Sequence, residues 1–333
     1  MAIDKYNQSA FLVLKVAYLY YIENRSQNEI AKELKVSVTT VSRLLTKAKE
    51  DKIIEFVIRD PYIECIHLEE KIKEMFHLKD VIIAPGITNQ ADESELEKSE
   101  ENEKKLVALE AARYLQRIIK DNDTLGVTWG TTVYQMINYL NPSQKTNTKF
   151  VTLHGSIASC ENALDVRTLV SRMAKAFSGE RYYLLTDALM SSRDATEIMK
   201  QEKNNHLVFE MFKEINVSIS GIGSFYPIES SVLAKPDFMT AEDLKDLEEH
   251  DVVGDIALRF FDHNGAECQT DIAERMIAID LDLFKKIETK ITLASGVAKT
   301  HTLYSALKGG LIDVLIIDYK LADSLLNLAQ QEI

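Results

Sequence analysis

Over roughly the first fifty residues, apolar side chains recur at helical spacing. The stretch "AFLVLKVAYLYYIEN" (10–24) reads as one amphipathic helix. Ser26 followed by Glu29 fits the S-x-x-E capping box and predicts a helix from about Gln27 to Leu34, with Ile30, Ala31 and Leu34 on one face. Ser37 is a good N-cap for the next helix, in which Val38, Val41, Leu45 and Ala48 recur at inward spacing. "IIEFVI" (53–58) is rich in β-branched and aromatic residues and predicts a strand or wing. Three helices and a wing make a winged helix-turn-helix. Helix-turn-helix turns often carry glycine after the first helix; here the residue is Lys35, and a left-handed lysine costs on the order of 1 kcal/mol.

Beyond residue 60 the pattern changes. A helix is expected from about Ile63 to Phe76, then a strand at Val81–Ala84. From Lys105 onward, β-rich and helical stretches alternate. Strands are expected at Thr124–Thr128, Phe150–His154, Arg181–Leu185, Val217–Ile222, Val253–Phe261, Ile291–Ala294 and Ile312–Ile317. Helices are expected at Val133–Leu140, Leu164–Phe177, His206–Ile215, Thr300–Leu307 and Leu321–Gln330. This alternation predicts an α/β fold with a mainly parallel sheet covered on both faces. The expected domains are a winged helix-turn-helix domain over 1–60, a linker helix over 61–80, which joins the domains or pairs with its copy, and an α/β domain over 81–333.

The composition, 46% hydrophobic and 27% charged, supports a sizeable core. No apolar run reaches the ~18 residues that would span a bilayer, so no membrane partner is expected. "MAIDKYNQSAF" lacks a basic region followed by an apolar stretch, so no signal peptide is expected either. The three cysteines, Cys65, Cys160 and Cys268, are widely spaced, and neither CxxC nor HExxH occurs. A reduced, cytoplasmic protein without metal or cofactor is the plain reading.

Net charge is −13, yet residues 1–60 carry a net +2, leaving −15 for the rest. An acidic body repels nucleic acid at long range, so only the N-terminal part suits a polyanion. Segment 90–105 holds seven acids and three bases and is expected as a solvated loop or helix start. In the second short helix Thr39, Thr40, Ser42, Arg43 and Lys47 lie on the outer faces, with Ser37 at its start and Gln27 opening the helix before it. Short hydroxyls followed by bases suit entry into a major groove of double-stranded operator DNA, with Arg43 at guanine and Lys47 at a phosphate.

In open α/β sheets ligands bind beyond the carboxyl ends of the strands. "LGVTWGTTVYQMINYL" reads as strand, Gly130-Thr131-Thr132, then helix. A glycine that lets the backbone approach, a helix N-terminus and two hydroxyls make it the best phosphate site in the chain. It is neither GxGxxG nor a P-loop. Other candidate strand ends are His154-Gly155-Ser156, Gly221 with Gly223, and Ser295-Gly296 followed by Lys299; Asp255 is a candidate acceptor for sugar hydroxyls. A lone histidine at a strand end is more often structural, and Lys299 and Asp255 have solvated and turn-capping alternatives. Convergence on one sheet edge is what groups them.

Together, "NEIAKELKVSVTTVSRLLTKAKEDKIIEFVI", "LGVTWGTTV", "VTLHGSIAS", "VSISGIGS", "VGDIALRFFDHNGAE" and "ASGVAKTHTLYSALKGGLIDVLIID" resemble the SorC family of bacterial sugar-responsive transcriptional regulators, across nearly the whole chain. The resemblance implies a winged helix-turn-helix joined to a Rossmann-like effector domain similar to sugar-phosphate isomerases, a phosphorylated sugar effector, and homodimers or homotetramers. It implies that Gly130, Thr131 and Thr132 form the phosphate loop and that Lys299 is a ligand-facing base. The family often has a second glycine where this chain has Ser156. The leading expectation is a regulator, with repression favoured, of a carbohydrate-metabolism operon. The alternative is an isomerase-like enzyme with an appended helical domain, for which no pair of titratable groups announces itself.

Overall fold

The computed structural model describes residues 2–54, 62–86, 93–142, 145–157 and 163–332. The chain divides into two compact units, Met1–Asp60 and Pro61–Ile333.

The first unit consists of α1 (Ala2–Tyr21), α2 (Gln27–Leu34) and α3 (Val38–Glu50). The Ser26/Glu29 capping box forms: the Ser26 amide donates to Glu29 Oε2 at 2.9 Å and the Glu29 amide to Ser26 Oγ at 3.3 Å. Val16, Leu19, Ile30, Ala31, Val41 and Leu45 make one buried cluster. Val13, Ala17 and Ala48 make a second, against which Ile53 and Ile54 pack. Val38 departs from its expected inward position and is 42% exposed, because it opens α3 before the face that meets α1 begins. Lys35 adopts φ 54° and ψ 41°, the left-handed geometry of the turn. From residue 55 the expected wing lies outside the described residues.

The second unit begins with α4 (Tyr62–Phe76), β1 (Asp80–Ala84), α5 (Glu93–Ile118), β2 (Thr124–Val127), α6 (Thr131–Asn138), β3 (Lys149–Thr152) and α7 (Val166–Phe177). Next come β4 (Glu180–Tyr182), α8 (Arg193–Gln201), α9 (Lys203–Met211), β5 (Val217–Ser220), β6 (Gly223–Ser224) and α10 (Ala241–Glu249). It ends with β7 (Gly254–Ile256), β8 (Arg259–Phe261), α11 (Asp271–Glu274), α12 (Leu281–Lys285), β9 (Thr289–Ala294), α13 (Thr300–Lys308), β10 (Val314–Asp318) and α14 (Tyr319–Gln331).

Among the described residues, seven strands form a sheet in the order β1-β10-β9-β5-β2-β3-β4, every neighbouring pair parallel. Both faces are covered. Val81, Ile83, Leu315 and Ile317 point into one core with residues of α4, α13 and α14. Ile82, Val314 and Ile316 alternate into the other, with residues of α5, α6 and α7. Burial on both faces is why these strands read as continuous apolar runs. The helix expected as a linker over 61–80 is built into this unit: Cys65, Leu68 and Ile72 of α4 are buried in the first core.

One expected strand is corrected. Val253–Phe261 does not run through as a strand of the parallel sheet but folds back as the antiparallel hairpin β7–β8, within a small sheet ordered β6-β7-β8. Its turn is Ala257-Leu258, at φ 52° and 62°. Such a two-residue turn needs positive φ at both positions and is usually marked by Asn-Gly or Asp-Gly. Of the two alternatives for the acidic segment, the described portion takes the helix start, from Glu93, but it is not solvated throughout, since Glu103 is buried.

Candidate functional site

The first unit supplies a candidate nucleic-acid interface. The Thr40 amide donates to Ser37 Oγ at 3.0 Å, and the two hydroxyls lie 2.8 Å apart. Ser37 and Thr40 are therefore occupied in part by capping α3. Thr39, Ser42, Arg43 and Lys47 are exposed, and Gln27 is half-buried at the first position of α2. Residues 39, 43 and 47 share one stripe by their spacing of four, opposite Val41, Leu45 and Ala48. A helix with short hydroxyls at its start, bases further along and its apolar back fixed against α1 can present side chains to a groove.

The second unit supplies a cavity. The strand order reverses between β2 and β5, because the chain winds outward from β2 toward β4 on one side and toward β10 on the other. That is the switch point at which open α/β sheets take ligands. The cavity there, of about 60 Å³, is lined by Trp129, Gly130, Thr131 and Thr132 after β2, and by Gly221, Ile222 and Gly223 after β5. Ser230 to Leu233, Asp255, Ala257 and Lys299 close the remaining sides.

Gly130 precedes α6 at φ 148°, a conformation that side-chain-bearing residues rarely adopt, and no side chain caps the helix. Among the described residues the backbone N–H groups of Thr131, Thr132 and Val133 have no partner. The end of α6 that carries these free donors and the positive end of the helix dipole borders the cavity through Gly130, Thr131 and Thr132. Thr131 is exposed and Thr132 buried.

Asp255 is buried and accepts a hydrogen bond from Ser231 Oγ at 2.9 Å. Burial raises its pKa to about 6, against the opposing pull of Ser231 and Lys299. Asp255 pairs with Gly223 across β6–β7, and a Cβ at Gly223 would stand 2.0 Å from Asp255 Oδ1, so glycine is required for this approach. Lys299 is half-buried, but its ammonium end is enclosed. Burial lowers its pKa to about 8, and Lys104 adds to that, while Asp255 and Asp318 oppose it. Asp318 is anchored by the Gly296 amide at 2.8 Å and the Leu321 amide at 2.9 Å.

The expected site residues separate. Gly130, Thr131, Thr132, Gly221, Gly223, Asp255 and Lys299 come together around the cavity. His154, Gly155 and Ser156 do not line it. Buried His154 accepts the Trp129 amide at Nε2, 2.9 Å away, while Nδ1 lies 2.7 Å from the Gly155 carbonyl oxygen. Both ring nitrogens are occupied, and burial pushes the pKa down to about 4, which fixes a neutral ring that shapes the end of β2. Gly155 packs against the Asp187 carbonyl, which a Cβ would meet at 2.5 Å. Ser156 donates to the Asp165 carboxylate and accepts from Arg167 at 3.0 Å.

Sequence reasoning missed Ser231, which sits in a loop rather than at a strand end. Trp129 is half-buried; it packs against the cores of both sheets and also lines the cavity.

Residues 60–327 match the family described as "Putative sugar-binding domain", and residues 13–50 match sigma-70 region 4, a helix-turn-helix. The deoxyribonucleoside regulator of Bacillus subtilis is 30% identical over 95% of this chain and 97% of its own length. The sorbitol operon regulator of Klebsiella pneumoniae is 27% identical over 95% of this chain and 98% of its own. The crystal structure of full-length SorC from that organism superposes with a TM-score of 0.72 over 95% of this chain and 98% of the other.

The chain belongs to the SorC family of transcriptional regulators.

The family places the two sites in one protein: a helix-turn-helix that binds DNA and a domain that binds a sugar-derived effector. Its named relatives are regulators of transcription, which sets the isomerase alternative aside. Among the described residues no helix is long and apolar enough to cross a membrane.

Proposed function

We propose that this SorC-family member is a cytoplasmic repressor of a carbohydrate operon, released from its operator when a phosphorylated sugar occupies the cavity. The uncapped N-terminus of α6, with Lys299 and Asp255 lining the same cavity, carries this reading. The free amides of Thr131, Thr132 and Val133 address the phosphate. Asp255 accepts from sugar hydroxyls, and Lys299 supplies positive charge. Two relatives are named for deoxyribonucleosides and sorbitol, which favours a small pentose- or hexose-derived ligand.

At about 60 Å³ the cavity is smaller than the ~300–1,000 Å³ usual for ligand sites, so on this reading it widens when the sugar phosphate enters. On the DNA side, Arg43 reaches a base edge and Lys47 a phosphate. Homodimers or homotetramers present paired copies of α3 to a palindromic operator.

The test is a calorimetric titration of Thr131→Ala/Thr132→Ala with matched phosphorylated and free sugars. Phosphate-selective loss is expected. Equal loss for both ligands moves the phosphate elsewhere.

A further inference from the structure

The outer side of α1 carries an apolar stripe that the first unit does not use. Among the described residues, Phe11 is 66% exposed, Leu14 50%, Tyr18 53% and Ile22 66%, and none of the four joins either buried cluster of the unit. Their spacings of three, four and four residues set them within an arc of about 80° at the helical turn per residue. Val13 and Val16, fully buried, lie on the opposite side of the same helix. Lys15 is the one charged residue between Ala10 and Ile22, so the stripe has too few bases to serve as a phosphate-contacting face. A lone exposed apolar residue is ordinary. Four aligned over about 16 Å of helix come close to the a/d pattern of a helix–helix seam.

We propose that this stripe packs antiparallel on the same stripe of a second copy, and so joins the two recognition helices that share one operator. The four positions are nearly symmetric about residue 16: Leu14 and Tyr18 lie two away, Phe11 and Ile22 five and six away. A two-fold axis there sets Leu14 against the partner's Tyr18 and Phe11 against the partner's Ile22, so that every contact is an aromatic ring on an aliphatic chain. A parallel pair would instead bring the two Lys15 ammonium groups to one level, with like charges opposed. Size also points to a copy rather than to an independent partner. With an aromatic side chain burying about 150–250 Å², these exposures leave roughly 400 Å² a copy and about 800 Å² over the pair. Stable complexes of independent proteins bury ~1,200–2,000 Å². A contact this small forms between units that a second attachment already holds close, which two half-sites of one duplex provide. Its use on DNA rests on the palindromic reading; the pairing of the two faces does not.

The test uses the full chain with a benzophenone-bearing phenylalanine analogue at Tyr18, as an equal mixture of unlabelled and heavy-isotope-labelled protein. It is irradiated at high concentration alone, and again on a palindromic duplex selected with the wild-type chain from random-sequence DNA. Mass spectrometry should find mixed-isotope crosslinks from position 18 to the segment around Leu14, in higher yield on the duplex. Leu14→Glu should remove them and cut the preference for the full duplex over its half-site by roughly tenfold, a part of the gain that linked sites give. Half-site affinity and melting temperature should stay at wild-type values, because Leu14 is exposed. Leu14→Met should keep both the crosslink and the preference. Crosslinks confined to one isotope would place the face against another part of its own chain and overturn the proposal. Crosslinks to a different part of the second copy, or none between copies in either sample, would overturn it as well. An equal loss on duplex and half-site in Leu14→Glu would mark a fold or DNA-contact role and do the same. A wild-type chain that binds duplex and half-site alike would remove the palindromic reading, while mixed-isotope crosslinks at Leu14 would still support the pairing.

Discussion

Replacing Asp255 by asparagine should make the protein more stable at neutral pH, and the gain should vanish in acid. The carboxyl is buried, and its pKa rises from 3.8 to about 6. The sign follows from linkage. A folded-state pKa above the unfolded value means that the folded state holds the proton more tightly. The associated stability is complete below about pH 4 and is lost as pH rises through about 6. A shift of about two units corresponds to roughly 3 kcal/mol at pH 7, an upper limit on the stabilisation of Asp255→Asn. At pH 4.5 the same arithmetic leaves about 1 kcal/mol. The asparagine keeps an acceptor for Ser231 but loses the attraction to Lys299, which trims the gain. For a unit of this size each kcal/mol moves the midpoint by about 2–4 °C. Melting both proteins without ligand from pH 4.5 to 7.5 checks this. The variant should lead by several degrees at pH 7, with the lead narrowing steadily below pH 6. A constant gap, or a variant less stable at pH 7, would refute the idea that this carboxylate is held ionised at a cost to folding. The same substitution should weaken sugar binding, which is what that cost maintains.

Lys35→Gly should stabilise the first unit by about 0.5–1 kcal/mol, because Lys35 sits at φ 54°; denaturant unfolding of a fragment spanning 1–60 is not needed if the full chain is followed by amide exchange in α2 and α3. Gly223→Ala should abolish effector binding and lower the melting temperature, since its Cβ meets Asp255 Oδ1 at 2.0 Å; a thermal-shift titration reads both effects. Phosphate affinity should fall as pH rises through about 8, where Lys299 loses its proton, and Lys299→Arg should move that fall beyond the working range; titrations from pH 7 to 9.5 check it.

The parts of the fold legible in the sequence are those where one physical cause dominates. The capping serines and the 3.6-residue period fixed α2 and α3, and double-sided burial marked the parallel strands. The hairpin β7–β8 was hidden because its turn uses Ala257-Leu258, residues that carry no turn signal, and neighbouring packing imposes their left-handed geometry. That miss matters at the cavity, since Asp255 reaches it from the small sheet and not from a parallel strand end. Gly130, Thr131, Thr132 and Lys299 were readable because glycine and hydroxyls before a helix have a local reason to be there. His154, Gly155 and Ser156 had the same local appearance. Only tertiary contacts, to the Trp129 amide, Asp187 and Asp165, separate their structural roles from ligand binding.

Control of DNA binding by the cavity is the central claim, and reciprocal titration tests it most directly. A palindromic operator duplex is titrated with full-length protein, with and without a saturating sugar phosphate chosen for its thermal shift. The sugar phosphate is then titrated with and without saturating operator. A coupling of about 1–3 kcal/mol predicts that the sugar phosphate weakens operator binding roughly 5–150-fold, and that operator weakens sugar-phosphate binding by the same factor. Operator affinity that stays constant while a cavity-bound sugar phosphate saturates the protein would contradict the account.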